Sequence, residues 1–292
     1  TGGLTAIRKT NKCNLQCRFC YNYGELDAIE PVGEGIWVIG GTKFYENDID
    51  LLLEIHKKPT GVAYVYLEPF MEIEKYYNII QKFNKAGIYQ HLYTNGTLAT
   101  ETTLKALGEA GLNELRFNLG ASGCADNVIE NIGIAKKYIK KVGIETPMTN
   151  EFFEKFFVKK QTVLDTGLDF INCAELHLNP NNIENYWGEK MYIARHGYIS
   201  PIWSRELTLR FMAAAAKEKW NLVVHDCSND TKFARDLNLG AKEGKWFGAS
   251  SYASEFLEIP YAVFLPVLRD EEFHFLVEEE LPSGYKPGEM LF

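Results

Sequence analysis

The sequence predicts an α/β protein, an incomplete parallel (β/α) barrel followed by a C-terminal extension, and three observations carry that expectation. Runs of β-forming residues alternate with helix-periodic stretches along most of the chain. Glycine or proline closes nearly every helical stretch. The alternation lasts six or seven units, too few for the closed eight-fold barrel, and changes character after Gly240. Residues 1–239 are therefore expected to form the barrel and 240–292 an extension packed on it.

In chain order, residues 3–9 form a first strand that runs directly into a cysteine-rich loop. Residues 21–41 are irregular, punctuated by Pro31, Gly33, Gly35, Gly40 and Gly41, and read as a long functional loop. Asn47 or Asp48 caps a helix through Lys58, with Ile49, Leu52, Leu53 and His56 on one face. Strand 62–67 leads to Glu68-Pro69, and a helix marked by Ile73, Tyr76, Ile80 and Phe83 stops at Gly87. Strand 88–93 ends in Thr94-Asn95-Gly96, and helix 101–110 is closed by Gly111. Strand 113–119 precedes a helix from Asp126 to Gly143. Strand 144–148 precedes a helix capped by Asn150 and ended at Gly167. Strand 168–178, a loop at 179–205, an Ala-rich helix 206–219 and a seventh strand 221–226 complete the alternation. In the tail, 261–268 and 273–279 read as a hairpin. In such architectures ligand chemistry gathers at the carboxyl ends of the strands.

Composition narrows the function classes. The 292 residues, 46% hydrophobic, suffice for one large core. With 31 basic against 39 acidic residues the net charge is −8, which argues against nucleic acid and polyanionic partners. No apolar run approaches bilayer-crossing length and no secretion pattern opens the chain, so a cytoplasmic setting without membrane association is expected. Three of the six cysteines fall within the first twenty residues, which suits a reducing compartment and a metal site.

Those three, Cys13, Cys17 and Cys20, are spaced C-x₃-C-x₂-C. Three thiolates are one short of a closed four-thiolate site, and His56, His91 and Cys124 are not arranged as a second ligand pair. The triplet reads as a [4Fe–4S] cluster with one iron left open for a cofactor or substrate. With the aromatic Phe19 before the last cysteine, the motif resembles the signature of the radical S-adenosylmethionine superfamily. The resemblance implies the six-unit partial (β/α)6 TIM-like barrel, open on one side. It also implies S-adenosylmethionine chelated at the open iron and cleaved reductively to a 5′-deoxyadenosyl radical that abstracts hydrogen. An external one-electron reductant, such as flavodoxin or ferredoxin, belongs to that chemistry.

Further residues follow from the same resemblance. Phe19 and Tyr21 flank the last cysteine beside the cofactor. Tyr66-Leu67-Glu68-Pro69 stands where the family carries a Gly-Gly-Glu-Pro-like segment; both glycines are replaced, while Glu68 and Pro69 keep an acid able to accept hydrogen bonds from the methionine ammonium. Thr94 and Asn95 resemble the family's Thr-Asn-Gly turn, and Asn118, on the strand face of Glu114 and Arg116, resembles a residue near the ribose.

Alternation exposes two sites with no family pattern. Cys173, Glu175 and His177 share one face of strand 168–178, expected to look into the lumen and contact substrate, or else to satisfy one another structurally. His225, Asp226 and Cys227 lie at the end of the seventh strand, and Cys227 joins the first three as a candidate catalytic residue. Cys124, Cys173 and Cys227 lack the paired spacing of a second cluster. Arg195-His196-Gly197-Tyr198 and Arg205 are candidates for clamping a carboxylate or phosphate.

The expected activity is hydrogen abstraction from a peptide or protein, in the manner of compact activating or peptide-modifying enzymes. Tailoring of a small metabolite is the alternative, and a non-catalytic iron–sulfur carrier or metallochaperone the rival of a different class.

Overall fold

The structure is a computed structural model that describes residues 3–55, 59, 61–193, 199–229 and 231. The expected tail hairpin, the extension from residue 240 and Arg195-His196-Gly197-Tyr198 lie outside the described residues.

The elements run β1 (Gly3–Ile7), β2 (Ile36–Ile39), β3 (Thr42–Tyr45), α1 (Ile49–Ile55), β4 (Gly61–Tyr64), α2 (Glu74–Lys85), β5 (Tyr89–Thr94) and α3 (Glu101–Ala110). They continue with β6 (Glu114–Phe117), α4 (Asp126–Ala135), β7 (Lys141–Pro147), α5 (Asn150–Leu164) and β8 (Phe170–Ala174). Last come β9 (Met191–Ile193), β10 (Ile199–Pro201), α6 (Ile202–Glu218) and β11 (Val223–Cys227).

One nine-stranded sheet runs in the order β11-β8-β7-β6-β5-β4-β1-β2-β3. Every neighbour from β1 to β11 is parallel, and β2 and β3 add an antiparallel hairpin to the edge at β1. Because β3 and β11 do not pair with each other, the sheet is an open, partial barrel among the described residues, the α/β fold the alternation predicts. The central strands bury their outer face and leave the inner one half-buried. The outer face, including Val62, Leu92, Leu115, Val142, Ile144 and Ile171, packs on helices through Ile79, Ile80, Leu104, Leu107, Ile132 and Phe156. Among the described residues no helix is long and apolar enough to cross a membrane.

Several boundaries depart from expectation. The stretch read as a loop contains the hairpin β2–β3: Gly40 and Gly41 have φ of 56° and 83°, the positive pair a two-residue type I′ turn requires. The helix expected to run to Gly143 ends at Ala135, and Gly143 lies inside β7, where an added Cβ would run into the Phe170 ring. Helix α5 is capped by Thr149 rather than Asn150, its hydroxyl accepting from the Phe152 amide at 3.2 Å. Strand β8 stops at Ala174. Beyond it the Leu176 amide bonds Ser204 Oγ at 2.9 Å and the Leu178 amide bonds the Ile199 carbonyl at 2.8 Å, so the chain leaves the ladder and its alternation ends.

The lumen is polar. Arg116 donates to Glu114 and Glu145, each at 2.5 Å, and to the Tyr93 hydroxyl at 2.9 Å, while Asn172 donates to Glu145 at 2.9 Å. The guanidinium lies over the rings of Tyr93 and Phe170, 5.3 and 5.6 Å from their centres. His91 sits beside this group on β5, and burial, then the Arg116 charge, hold its imidazole down to about 4 against the pull of Glu114 and Glu145. The unfolded chain therefore binds a proton between about pH 6.5 and 4 that the folded chain refuses, and stability falls as pH drops through that window. After discounting for partial exposure, His91→Gln should remove about 1–2 kcal/mol of this acid sensitivity, read as the change in urea midpoint between pH 7 and pH 5 in each protein.

Candidate active site

At the carboxyl ends of the strands, the loop after β1 lines a half-open cavity of about 510 Å³ at the mouth of the barrel. It is lined by Cys13, Cys17 and Cys20 from that loop, Tyr66, Leu67 and Glu68 after β4, Thr94 and Asn95 at the end of β5, and Asn118 after β6. Phe19, Tyr21, Glu175 and His177 also line it, Pro69 is buried directly behind Glu68, and of the residues that the sequence singled out Cys173 and Cys227 are not on its wall.

The cysteine loop is held from two sides. Asn14 donates to Thr97 Oγ1 at 2.8 Å and accepts from Asn95 at 2.9 Å, joining the loop to the turn after β5. Across the mouth, Asn182 donates to the Phe19 carbonyl at 3.0 Å and Asn185 to the Arg18 carbonyl at 2.9 Å, while Arg18 returns a bond to the Asn185 carbonyl at 2.5 Å. Inside the loop a turn brings the Cys20 amide to the Cys17 carbonyl at 2.9 Å, and the Cys17 thiol faces the Ala121 carbonyl at 3.9 Å.

All three thiols are half-buried and none of the six cysteines is disulfide-bonded. Burial raises the pKa of each; for Cys17, burial and then the neighbouring Cys20 and Cys13 push it up to about 12. Among the described residues no three carboxylate, thiol or imidazole groups converge on one metal ion. Three free thiols on one cavity wall are the donor set that iron–sulfur clusters take.

Glu68 is buried and ties two strand ends together. Its Oε1 accepts from the Phe70 amide at 3.0 Å and Thr94 Oγ1 at 2.7 Å, and its Oε2 from the Asn95 amide at 2.7 Å. Burial raises its pKa, opposed by these three bonds, the Asn95 amide first. A carboxylate has about four acceptor positions, so one remains on Oε2. The two residues before it, Tyr66 and Leu67, have φ of 103° and 50°. They keep the left-handed backbone that glycine favours although neither is glycine, and this ends β4 at Tyr64 rather than at 67. Asn118 accepts from Thr146 Oγ1 at 2.7 Å and from the Ala121 amide at 3.1 Å, which fixes its side chain at the cavity wall.

The lumen trio is corrected in part. Cys173 is fully buried in the outer core with Ile171, while Phe170, Asn172 and Ala174 occupy the inner face of β8. Cys173 therefore does not share a face with Glu175 and His177, which line the cavity only because the chain has left the strand. Glu175 is buried and accepts from the Tyr192 hydroxyl and from the Asn229 amide, the latter at 2.9 Å. Cys227 pairs with Ala174 in parallel register and so lies on the inner face, as does the exposed His225 opposite Asn172. Asp226 points the other way and pairs with Arg205 at 3.0 Å. Cys124 is buried in the core.

Two groups were not anticipated. Glu145 and Tyr93 line the cavity floor, and alternation along β7 and β5 would have found both. The asparagines between 179 and 185 read as turn formers in sequence, and their bonds to residues 18–21 span more than 150 positions.

The fold is a partial barrel that carries three thiols at its mouth, beside the carboxyl ends of the strands. A family model described as the Radical SAM superfamily matches residues 7–156, and the chain belongs to that superfamily. It is 24% identical over 202 residues to the tungsten-containing aldehyde ferredoxin oxidoreductase cofactor-modifying protein of Pyrococcus furiosus, covering 60% of this chain and 52% of that protein. It is also 24% identical over 192 residues to a Methanocaldococcus jannaschii protein provisionally named a glycyl-radical enzyme activating enzyme, covering 62% and 49%. The chain spans about half the length of these relatives. Among solved structures it resembles SuiB of Streptococcus suis bound to S-adenosylmethionine, with 15% identity and a TM-score of 0.55 over 77% of this chain and 50% of that one. SuiB bound to the precursor peptide SuiA gives 16% identity and a TM-score of 0.54, over 77% and 48%. At such identities the likeness is one of fold.

Proposed function

We propose that this chain is a cytoplasmic radical S-adenosylmethionine enzyme whose substrate is a peptide or protein. The observation that carries the reading is the gathering of Cys13, Cys17 and Cys20 with Glu68, Thr94, Asn95 and Asn118 around one cavity at the strand ends. Cys13, Cys17 and Cys20 would hold a [4Fe–4S] cluster, which, with an electron from a flavodoxin- or ferredoxin-like donor, would supply the reductive cleavage of S-adenosylmethionine that leads to hydrogen abstraction.

The chain's own residues shape that reaction. Phe19, Tyr21, Tyr66 and Leu67 contribute apolar surface to the cavity wall. The remaining acceptor position of Glu68 and the main chain before it receive the methionine ammonium, with Asn118 toward the ribose. His177, at the cavity rim, and Cys227, on the inner face of β11, are the side chains we assign to substrate contact. A peptide substrate is supported by the relative named for glycyl-radical enzyme activation and by the fold shared with SuiB, solved with its precursor peptide. A small metabolite is the second reading, favoured by a cavity volume within the range of small-molecule sites.

The test is anaerobic incubation of the reduced, reconstituted protein with S-adenosylmethionine. Formation of 5′-deoxyadenosine is expected; iron binding without it would favour the carrier or metallochaperone.

Glu68→Gln should weaken S-adenosylmethionine binding by about 1–2 kcal/mol, because a charge-assisted bond becomes neutral. It should also lower the melting temperature, because the new amide group turns an N–H toward one of the three donors Glu68 now accepts. Calorimetry on the reconstituted variant separates the two effects, and unchanged affinity would restrict Glu68 to joining the strand ends.

A further inference from the structure

The peptide unit between Tyr21 and Asn22 is gripped from one side and bonded to a cluster-ligand sulfur from the other. Its carbonyl accepts from Asn179 Nδ2 at 2.9 Å and from Asn181 Nδ2 at 2.7 Å, using both oxygen lone pairs. Asn181 is itself fixed, since its amide also donates to Glu25 at 2.7 Å. A trans peptide sets N–H and C=O on opposite sides of one plane, so a carbonyl pulled toward the asparagines aims the N–H the other way. That N–H, of Asn22, donates to Cys20 Sγ at 3.4 Å.

We propose that Asn179 and Asn181 are positioning residues that orient and polarise the Tyr21–Asn22 peptide, so that its N–H bonds the Cys20 sulfur and raises the reduction potential of the cluster. The assignment rests on the cluster reading above. Two donors on the carbonyl increase the positive charge on the linked N–H, because hydrogen bonds in a chain strengthen one another. Hydrogen bonds to cluster sulfurs favour the electron-rich reduced state and are one of the levers that set cluster potentials. Asn185 holds the neighbouring Arg18 carbonyl, which does not belong to that peptide unit, and so provides an internal control for mere anchoring of the loop.

The experiment compares wild type, Asn179→Ala/Asn181→Ala, the milder Asn181→Ala, and Asn185→Ala in two ways. In the full chain without iron, amide hydrogen exchange of Asn22 should be about tenfold faster in the double variant, the loss of protection that one hydrogen bond confers, and unchanged in Asn185→Ala. In the reconstituted proteins, redox titration followed by electron paramagnetic resonance should give a more negative midpoint in the double variant and a smaller shift in Asn181→Ala, with Asn185→Ala at the wild-type value. Equal midpoints in all four, or an equal shift in Asn185→Ala, would overturn the assignment. A wild-type chain that binds no cluster would overturn the underlying function instead, and the exchange of Asn22 would still decide whether the asparagines hold its N–H.

Discussion

Replacing Cys13, Cys17 and Cys20 together by Ala is expected to abolish iron binding and 5′-deoxyadenosine formation while leaving the apoprotein folded. Reconstituted wild type should carry about four irons and four sulfides per chain, and the triple variant none. The fold should survive because the loop is held by bonds that bypass the thiols, from Asn14 to Thr97, from Asn95 to Asn14 and from Asn182 to Phe19. Each thiol is only half-buried, so its loss opens no enclosed cavity and costs about 1 kcal/mol or less. Iron analysis, charge-transfer absorption and a melting curve together decide the matter. Retained cluster absorption in the triple variant would sink the central reading.

The second large effect separates Glu175 from His177. Glu175→Ala leaves the Asn229 amide and the Tyr192 hydroxyl buried without their acceptor, a loss of about 2–4 kcal/mol that should appear first as a lower melting temperature. His177→Ala removes a half-buried side chain from the cavity rim and should keep both fold and cluster. Its expected signature is slow 5′-deoxyadenosine formation at the wild-type rate without substrate, together with loss of substrate conversion. If His177→Ala converts substrate normally, the rim at 177 makes no contact that matters to the reaction.

The difference between those two residues shows where sequence reading succeeds and where it stops. Helix α3 was legible to its ends because Thr100, which caps it in a reciprocal bond pair with Thr103, and Gly111 at φ 97° are local signals. The cysteine motif was legible for the same reason, its spacing being compact and chemically specific. Cys173, by contrast, was assigned by extending strand alternation four residues past Ala174, where Ser204 and Ile199 capture the backbone. Nothing local marks that departure. The hairpin β2–β3 was hidden by its own glycines: dense punctuation reads as loop, although Gly40-Gly41 between two β-forming runs is a turn signal. The asparagine bonds to the cysteine loop join segments far apart in sequence, and no periodicity reports them.

The left-handed pair Tyr66 and Leu67 also bears on how this segment tolerates change. Each residue costs about 1–2 kcal/mol in that conformation relative to glycine. Each also has fewer conformations to lose than glycine when the chain folds, an offset of about 0.4–1 kcal/mol. The net penalty of giving up a glycine here is therefore small enough for selection to trade against side-chain shape, and both side chains stand at the cavity wall. Tyr66→Gly and Leu67→Gly should thus be nearly neutral for folding yet enlarge the chamber, which makes these two positions natural handles for retuning what it admits.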